Sequence, residues 1–240
     1  MALGPDRKYM SRSQAEASQI DVGLRNYMLG IYNYMALGVA FTGIVALLIA
    51  MNPAVMQAVA LGPFKWVLFI GIIGMGFVAP RIMMSGSTAA AQACFWVYAG
   101  LWGALMSPMF LYYTGDSMVR VFFITAGAFA GMSLLGYTTK KDLTVIGGFL
   151  AMSTFGILIA LLVNMFLVHS TGFHLLLSIV VVLVFAGLTA YETQMIKNMY
   201  HDGDTAEVAK RKSIFGAFML YGSFVTLFIW LLQIFGAARN

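Results

Sequence analysis

An all-α integral membrane protein with seven transmembrane helices is predicted by three observations. The chain has long uncharged apolar runs, its charges gather between those runs, and Lys and Arg are distributed unevenly among the gaps. Of the 240 residues, 61% are hydrophobic and only 10% are charged, and the mean hydropathy is +0.86. A water-soluble domain carries about 25% charged residues, so this chain has too few to cover its surface. In hydrocarbon each run must satisfy its own backbone hydrogen bonds, which an α-helix does and an irregular segment does not. A soluble helical protein with a large core would show polar stripes at helical spacing, and these runs have none.

In chain order, residues 1–27 are polar and mixed in charge (Asp6, Arg7, Lys8, Arg12, Glu16, Asp21, Arg25) and are expected to form a cytoplasmic tail. Residues 28–240 are expected to form a single transmembrane domain. Its uncharged runs are Met28–Met51, Trp66–Pro80, Ala89–Tyr113, Val121–Tyr137, Leu143–Val168, Phe173–Tyr191 and Ser213–Ala238. A bilayer core of about 30 Å needs roughly 20 helical residues, with about 17–25 tolerated. Six runs meet that length, and the second falls short unless its helix continues past Arg81 into Ile82, Met83 and Met84. The first run spans rather than resembling a leader, because it follows polar residues and lacks a small-residue cleavage site.

Orientation follows from the basic residues. With the N-terminus inside, the inner segments hold 11 of them (Arg7, Lys8, Arg12, Arg25, Arg81, Lys140, Lys141, Lys197, Lys210, Arg211, Lys212) and the outer segments hold 3 (Lys65, Arg120, Arg239). This positive-inside bias places the N-terminus in the cytoplasm and the C-terminus outside. The net charge of +5 is therefore read as topology, with no nucleic-acid partner expected. Gly71, Gly74 and Gly76 in the second span, and Gly127 with Gly131 in the fourth, are expected to admit close helix contacts. A single cysteine, Cys94, excludes an intramolecular disulfide.

Charges inside a span are costly and are the default functional candidates. Arg81 and Glu192 qualify. Glu192 follows nineteen uncharged residues and precedes Thr193, Gln194, Met195 and Ile196, so the sixth helix should run beyond it. Acidic residues have short stems, and a helix C-terminus disfavours negative charge. Glu192 therefore needs a partner, and Arg81 is expected to supply it. Enzyme chemistry is not expected: HExxH, G-x-S-x-G and P-loop patterns are absent. His169 and His174 fall at one face and His201 at the other. Asp202, Asp204 and Glu207 read as a solvated loop, since their spacing matches no EF-hand. No cofactor or resident metal is expected.

With the charged positions placed, the chain resembles the Bax inhibitor family, in its bacterial type. The segments that carry the likeness are AYETQMIKNMY (190–200) and LYGSFVTLFIWLLQIFG (220–236), with weaker echoes in KKDL (140–143) and GALMSPMF (103–110). The resemblance implies a last helix held centrally between two three-helix layers. It also implies a passive, pH-sensitive cation leak, chiefly of Ca²⁺, gated near the cytoplasmic face by carboxylates on helices six and seven beside an arginine of helix two. Carried across, these positions fall on Glu192, Ser223 and Arg81, and Gln194 and Thr189 are expected nearby. Ser223 departs from the family's second acid. Two close carboxylates cannot both ionise cheaply, which makes a switch. Ser223 cannot share a proton, so weak or acid-shifted pH gating is expected. The competing expectation is a non-conducting regulator of membrane protein quality control, with residues 1–27 as the arm that meets a membrane protease. Short loops point to a bacterial inner membrane.

Overall fold

Four of the helices start behind a Ser or Thr side chain that caps the first free backbone N–H groups, the usual remedy for an exposed helix N-terminus. Ser87, Thr114, Ser170 and Thr205 accept from Ala90, Ser117, Phe173 and Val208 respectively. A computed structural model describes residues 12–60 and 62–239, with side chains over 22–59 and 62–239. The helices are α1 (Arg12–Ala50), α2 (Pro53–Ala60), α3 (Phe64–Ser85), α4 (Thr88–Met106), α5 (Met109–Tyr112), α6 (Gly115–Thr138), α7 (Thr144–Val163), α8 (Thr171–Asn198) and α9 (Ala206–Phe235). A π-helical turn, Asn164–Val168, extends α7. Among the described residues, seven helical stretches are long and apolar enough to cross a membrane: those of α1, α3, α4 with α5, α6, α7 with its π-turn, α8, and α9.

The elements differ from the uncharged runs mainly at their ends. α3 starts at Phe64, taking Lys65 into its first turn, and carries on through Pro80 and Arg81 to Ser85, as the short second run requires. α6 starts at Gly115 and so includes Asp116 and Arg120. The short α2 was not apparent in the sequence; Met56 and Val59 are its buried contacts. Of the expected tail, residues 1–11 lie outside the described residues. Residues 12–27 are helical and continue into the first span without a break.

α9 is the centre. It packs against α1, α3 and α4 on one side and against α6 and α8 on the other, while α7 packs on α8. Two three-helix layers therefore enclose the last helix, which is also the most buried span. The reason lies in its side chains: Ile214, Ala217, Leu220, Tyr221 and Leu232 of α9 are wholly inaccessible. The turns gather at two ends. At one, Arg211 donates to the backbone oxygens of Met84 (3.3 Å) and Gly86 (2.6 Å), and Lys212 pairs with Asp204 at 2.6 Å. At the other, the Arg239 backbone N–H donates to the Tyr112 carbonyl at 2.9 Å. The Asp142 carboxylate accepts from the Thr144 hydroxyl and N–H, which holds its pKa below the ordinary carboxylate range. That clasp at the start of α7 is present at neutral pH and is lost as pH falls through the lowered pKa.

The glycine expectation needs correction. A methyl group added at Gly127, Gly131, Gly74 or Gly76 would meet nothing within 4 Å. The buried stripe of α6 runs through Ser117, Val121, Thr125, Phe129, Ser133 and Gly136. Gly127 and Gly131 are each two residues out of that phase, about 200° around the helix, and face outward. Close approach happens instead at Gly136, which meets the Ala190 backbone, and at Gly103, where the Thr42 carbonyl would lie 2.7 Å from an added carbon.

Candidate functional site

Glu192 sits on α8 towards the end at which Arg211 and Lys212 clasp the turns. It is half-buried, and its Oε2 accepts a hydrogen bond of 2.6 Å from the hydroxyl of Ser223 on α9, itself only 2% exposed. The two helices approach closely nearby at Gly216 of α9, where an added carbon would lie 3.0 Å from the Ile196 side chain of α8. Around the Ser223–Glu192 bond lies a cavity of about 410 Å³, bordered by Gly76 and Pro80 of α3, Tyr98 of α4, Phe185 of α8 and Phe218 of α9.

Aromatic rings close the cavity towards the middle of the fold. The Tyr98 ring lies 4.6 Å from Phe218 and 5.8 Å from Tyr221, and Tyr221 lies 5.8 Å from Phe95. The Tyr221 hydroxyl meets Thr42 Oγ1 of α1 at 2.6 Å, and Thr42 Oγ1 also lies 2.9 Å from the Gly38 carbonyl and 3.0 Å from that of Ala99. Thr42 has one proton to give. It donates to a carbonyl, and Tyr221 donates to it. Tyr98, Tyr221 and Thr42 were not singled out in the sequence, where a tyrosine in an apolar run carries no signal of its own.

Arg81 does not pair with Glu192. Among the described residues no ion pair joins them, and Arg81 is exposed. The cause is helix phase. Ala79 and Met83 are wholly buried, so Arg81, two residues from each, points about 200° away from the packed face. Its neighbour Pro80 borders the cavity instead. Gln194 is also elsewhere, two residues beyond Glu192 and turned to another side. Its Oε1 accepts from the Leu143 N–H, and its Nε2 donates to the Lys141 carbonyl, both at 2.8 Å, so it fastens the α6–α7 turn. Thr189 donates to the Phe185 carbonyl of its own helix. The carboxylate therefore faces a serine and the cavity lined by Tyr98, Phe185 and Phe218.

This changes one expected result. Arg81→Ala should alter thermal stability in detergent by no more than about 0.5 kcal/mol, as for a surface substitution. Combined with Glu192→Ala, the effects should add within about 0.3–0.5 kcal/mol. A double mutant that recovers part of the single-mutant loss would show coupling that the geometry lacks.

The acidic loop is dispersed: Asp204 is engaged by Lys212, and among the described residues no group of three His, Cys, Asp or Glu side chains is placed to hold a metal. His174 Nε2 lies 2.9 Å from Gln233 Oε1 at the opposite end from Glu192.

Comparison with known proteins places the chain in a wider group. The family described as "Inhibitor of apoptosis-promoting Bax1" matches residues 24–240. An uncharacterized protein of Rickettsia prowazekii is 40% identical over 220 residues, 92% of this chain and 93% of its own length. An uncharacterized protein of Caulobacter vibrioides is 38% identical over 232 residues, 92% of each chain. The inner membrane protein YbhL of Escherichia coli is 38% identical over 220 residues, 90% of this chain and 94% of its own length.

Proposed function

This chain belongs to the Bax inhibitor family, and we propose on that premise that it is a passive, proton-sensitive cation conduit of a bacterial inner membrane, closed at Glu192. The observation that carries this reading is the 2.6 Å bond from Ser223 to Glu192 beside a cavity of about 410 Å³. A carboxylate at this depth is costly without a cationic partner, so its presence points to use. Ionised Glu192 can only accept, and Ser223 satisfies one of its oxygens. A cation reaching the cavity competes for that carboxylate and loosens the bond between α8 and α9. Protonation turns the acceptor into a donor and rearranges the same bond. The rings of Tyr98, Tyr221 and Phe95 form the second barrier, so the arrangement described is the closed one. Ca²⁺ prefers 6–8 oxygen ligands. One carboxylate and one hydroxyl supply few, which suits passage better than storage.

The inner membrane comes from the relative's name, and the orientation from the 11-to-3 distribution of basic residues. A reporter fused after Asn240 should be periplasmic and one inserted in the 201–205 loop cytoplasmic; both on one side would refute the alternation. Conduction is tested by purified protein in liposomes, with Ca²⁺, Na⁺ and K⁺ each supplied across a range of pH. Flux above that of protein-free vesicles is expected. Silence at every pH and with every ion would leave the partner-binding regulator as the better reading.

A further inference from the structure

We infer that the gap between the two layers on the α1–α6 side is a binding site for one anionic phospholipid. Along this side α1 and α6 touch at the Tyr32–Ser133 bond and are otherwise little packed against each other. Between α1 and α6 lies an open crevice of about 630 Å³ whose floor is Phe129 and Phe224 and whose walls include Met28, Met35, Ala126 and Ala130. At one end stand Arg25 and Tyr137. Lys197 lies 5.0 Å over the Tyr137 ring and donates to the Tyr137 carbonyl at 2.8 Å, which brings a second cation to the same mouth.

The occupant follows from shape, length and charge. From Arg25 to Ala36, both lining the crevice, α1 rises about 16 Å. That is close to one leaflet of a hydrocarbon core about 30 Å thick. An acyl chain running inwards from a headgroup at Arg25 therefore fits the apolar part. The charge belongs at the headgroup, since a basic pocket between spans on the positively flanked side selects an anionic phosphate head. Hydroxyls lie along the wall too: Tyr32 and Ser133 bond each other at 2.6 Å, and Ser133 meets Thr193 at 2.9 Å. Because those groups satisfy one another, the wall makes no demand on an apolar chain.

The test uses the full chain in detergent, with bound lipid counted by native mass spectrometry after addition of phosphatidylglycerol or phosphatidylcholine of identical acyl chains. The wild type should retain one phosphatidylglycerol, preferred by about fivefold per cation engaged. Arg25→Gln should lower that preference about fivefold and leave phosphatidylcholine retention unchanged. Ala130→Trp, which fills the crevice, should abolish retention of both; Ala126→Phe serves if that variant does not fold. Equal retention of both lipids by the wild type, an undiminished preference in Arg25→Gln, or a retained lipid in a folded crevice-filling variant would each overturn the site.

Discussion

Alanine at Gly136 is expected to destabilise the protein by about 3 kcal/mol or more, the upper end of what overpacking costs in a filled core. The added carbon would overlap the backbone oxygen of Ala190, with the Ala190 carbonyl carbon only 2.8 Å away. Neither atom belongs to a flexible side chain. Relief requires α6 and α8 to separate, and that separation also disturbs the Ser133–Thr193 bond, 2.9 Å long, one turn away. Gly131→Ala provides the contrast, since its added carbon meets nothing and alanine is the better helix former by about 0.5–1 kcal/mol. Thermal unfolding of both variants in detergent checks this. Equal melting temperatures would mean that α6 is rotated from the position described.

Ser223→Asp is expected to produce the largest functional change. The new carboxylate stands where a hydroxyl now bonds Glu192 at 2.6 Å. Two acids at that distance do not ionise independently, and they titrate as a pair in two macroscopic steps. Flux through Ser223→Asp should therefore become steeply pH-dependent near neutrality, by up to about tenfold per pH unit for one titrating proton. The wild type, with a single carboxylate, should respond less steeply over the same range. Liposome flux measured against pH for both proteins decides it. Matching profiles would place the proton sensor outside the α8–α9 contact.

Much of the fold was legible because charge marks where a helix must leave the bilayer. Lys140, Lys141 and Arg211 sit beside turns, and the uncharged stretches between such marks are spans. Continuation through Arg81 was legible from length, since a run too short to span must borrow residues beyond its charge, and continuation past Glu192 from the uncharged Thr193–Ile196 that follow it. Helix rotation was not legible. In a soluble helix a polar stripe shows which side faces out, but a lipid-facing side is as apolar as the core. Arg81, Gly127, Gly131 and Gln194 were all assigned to contacts by depth or residue type, and all four are turned away from them. Each would have been placed correctly by the buried stripe of its own helix, which appears only once the neighbours are known. The Glu192–Ser223 contact escaped this error because family resemblance, rather than counting, linked the two positions.

Glu192 as the closure is tested most directly by comparing wild type and Glu192→Gln in the same liposomes, with flux followed against pH. Glutamine keeps the size and can still accept from Ser223, but it carries no charge and no titrating proton. If Glu192 both attracts the cation and senses the proton, the variant should lose the pH response and most of the Ca²⁺ flux. A Glu192→Gln protein that conducts and responds to pH as the wild type does would contradict that assignment.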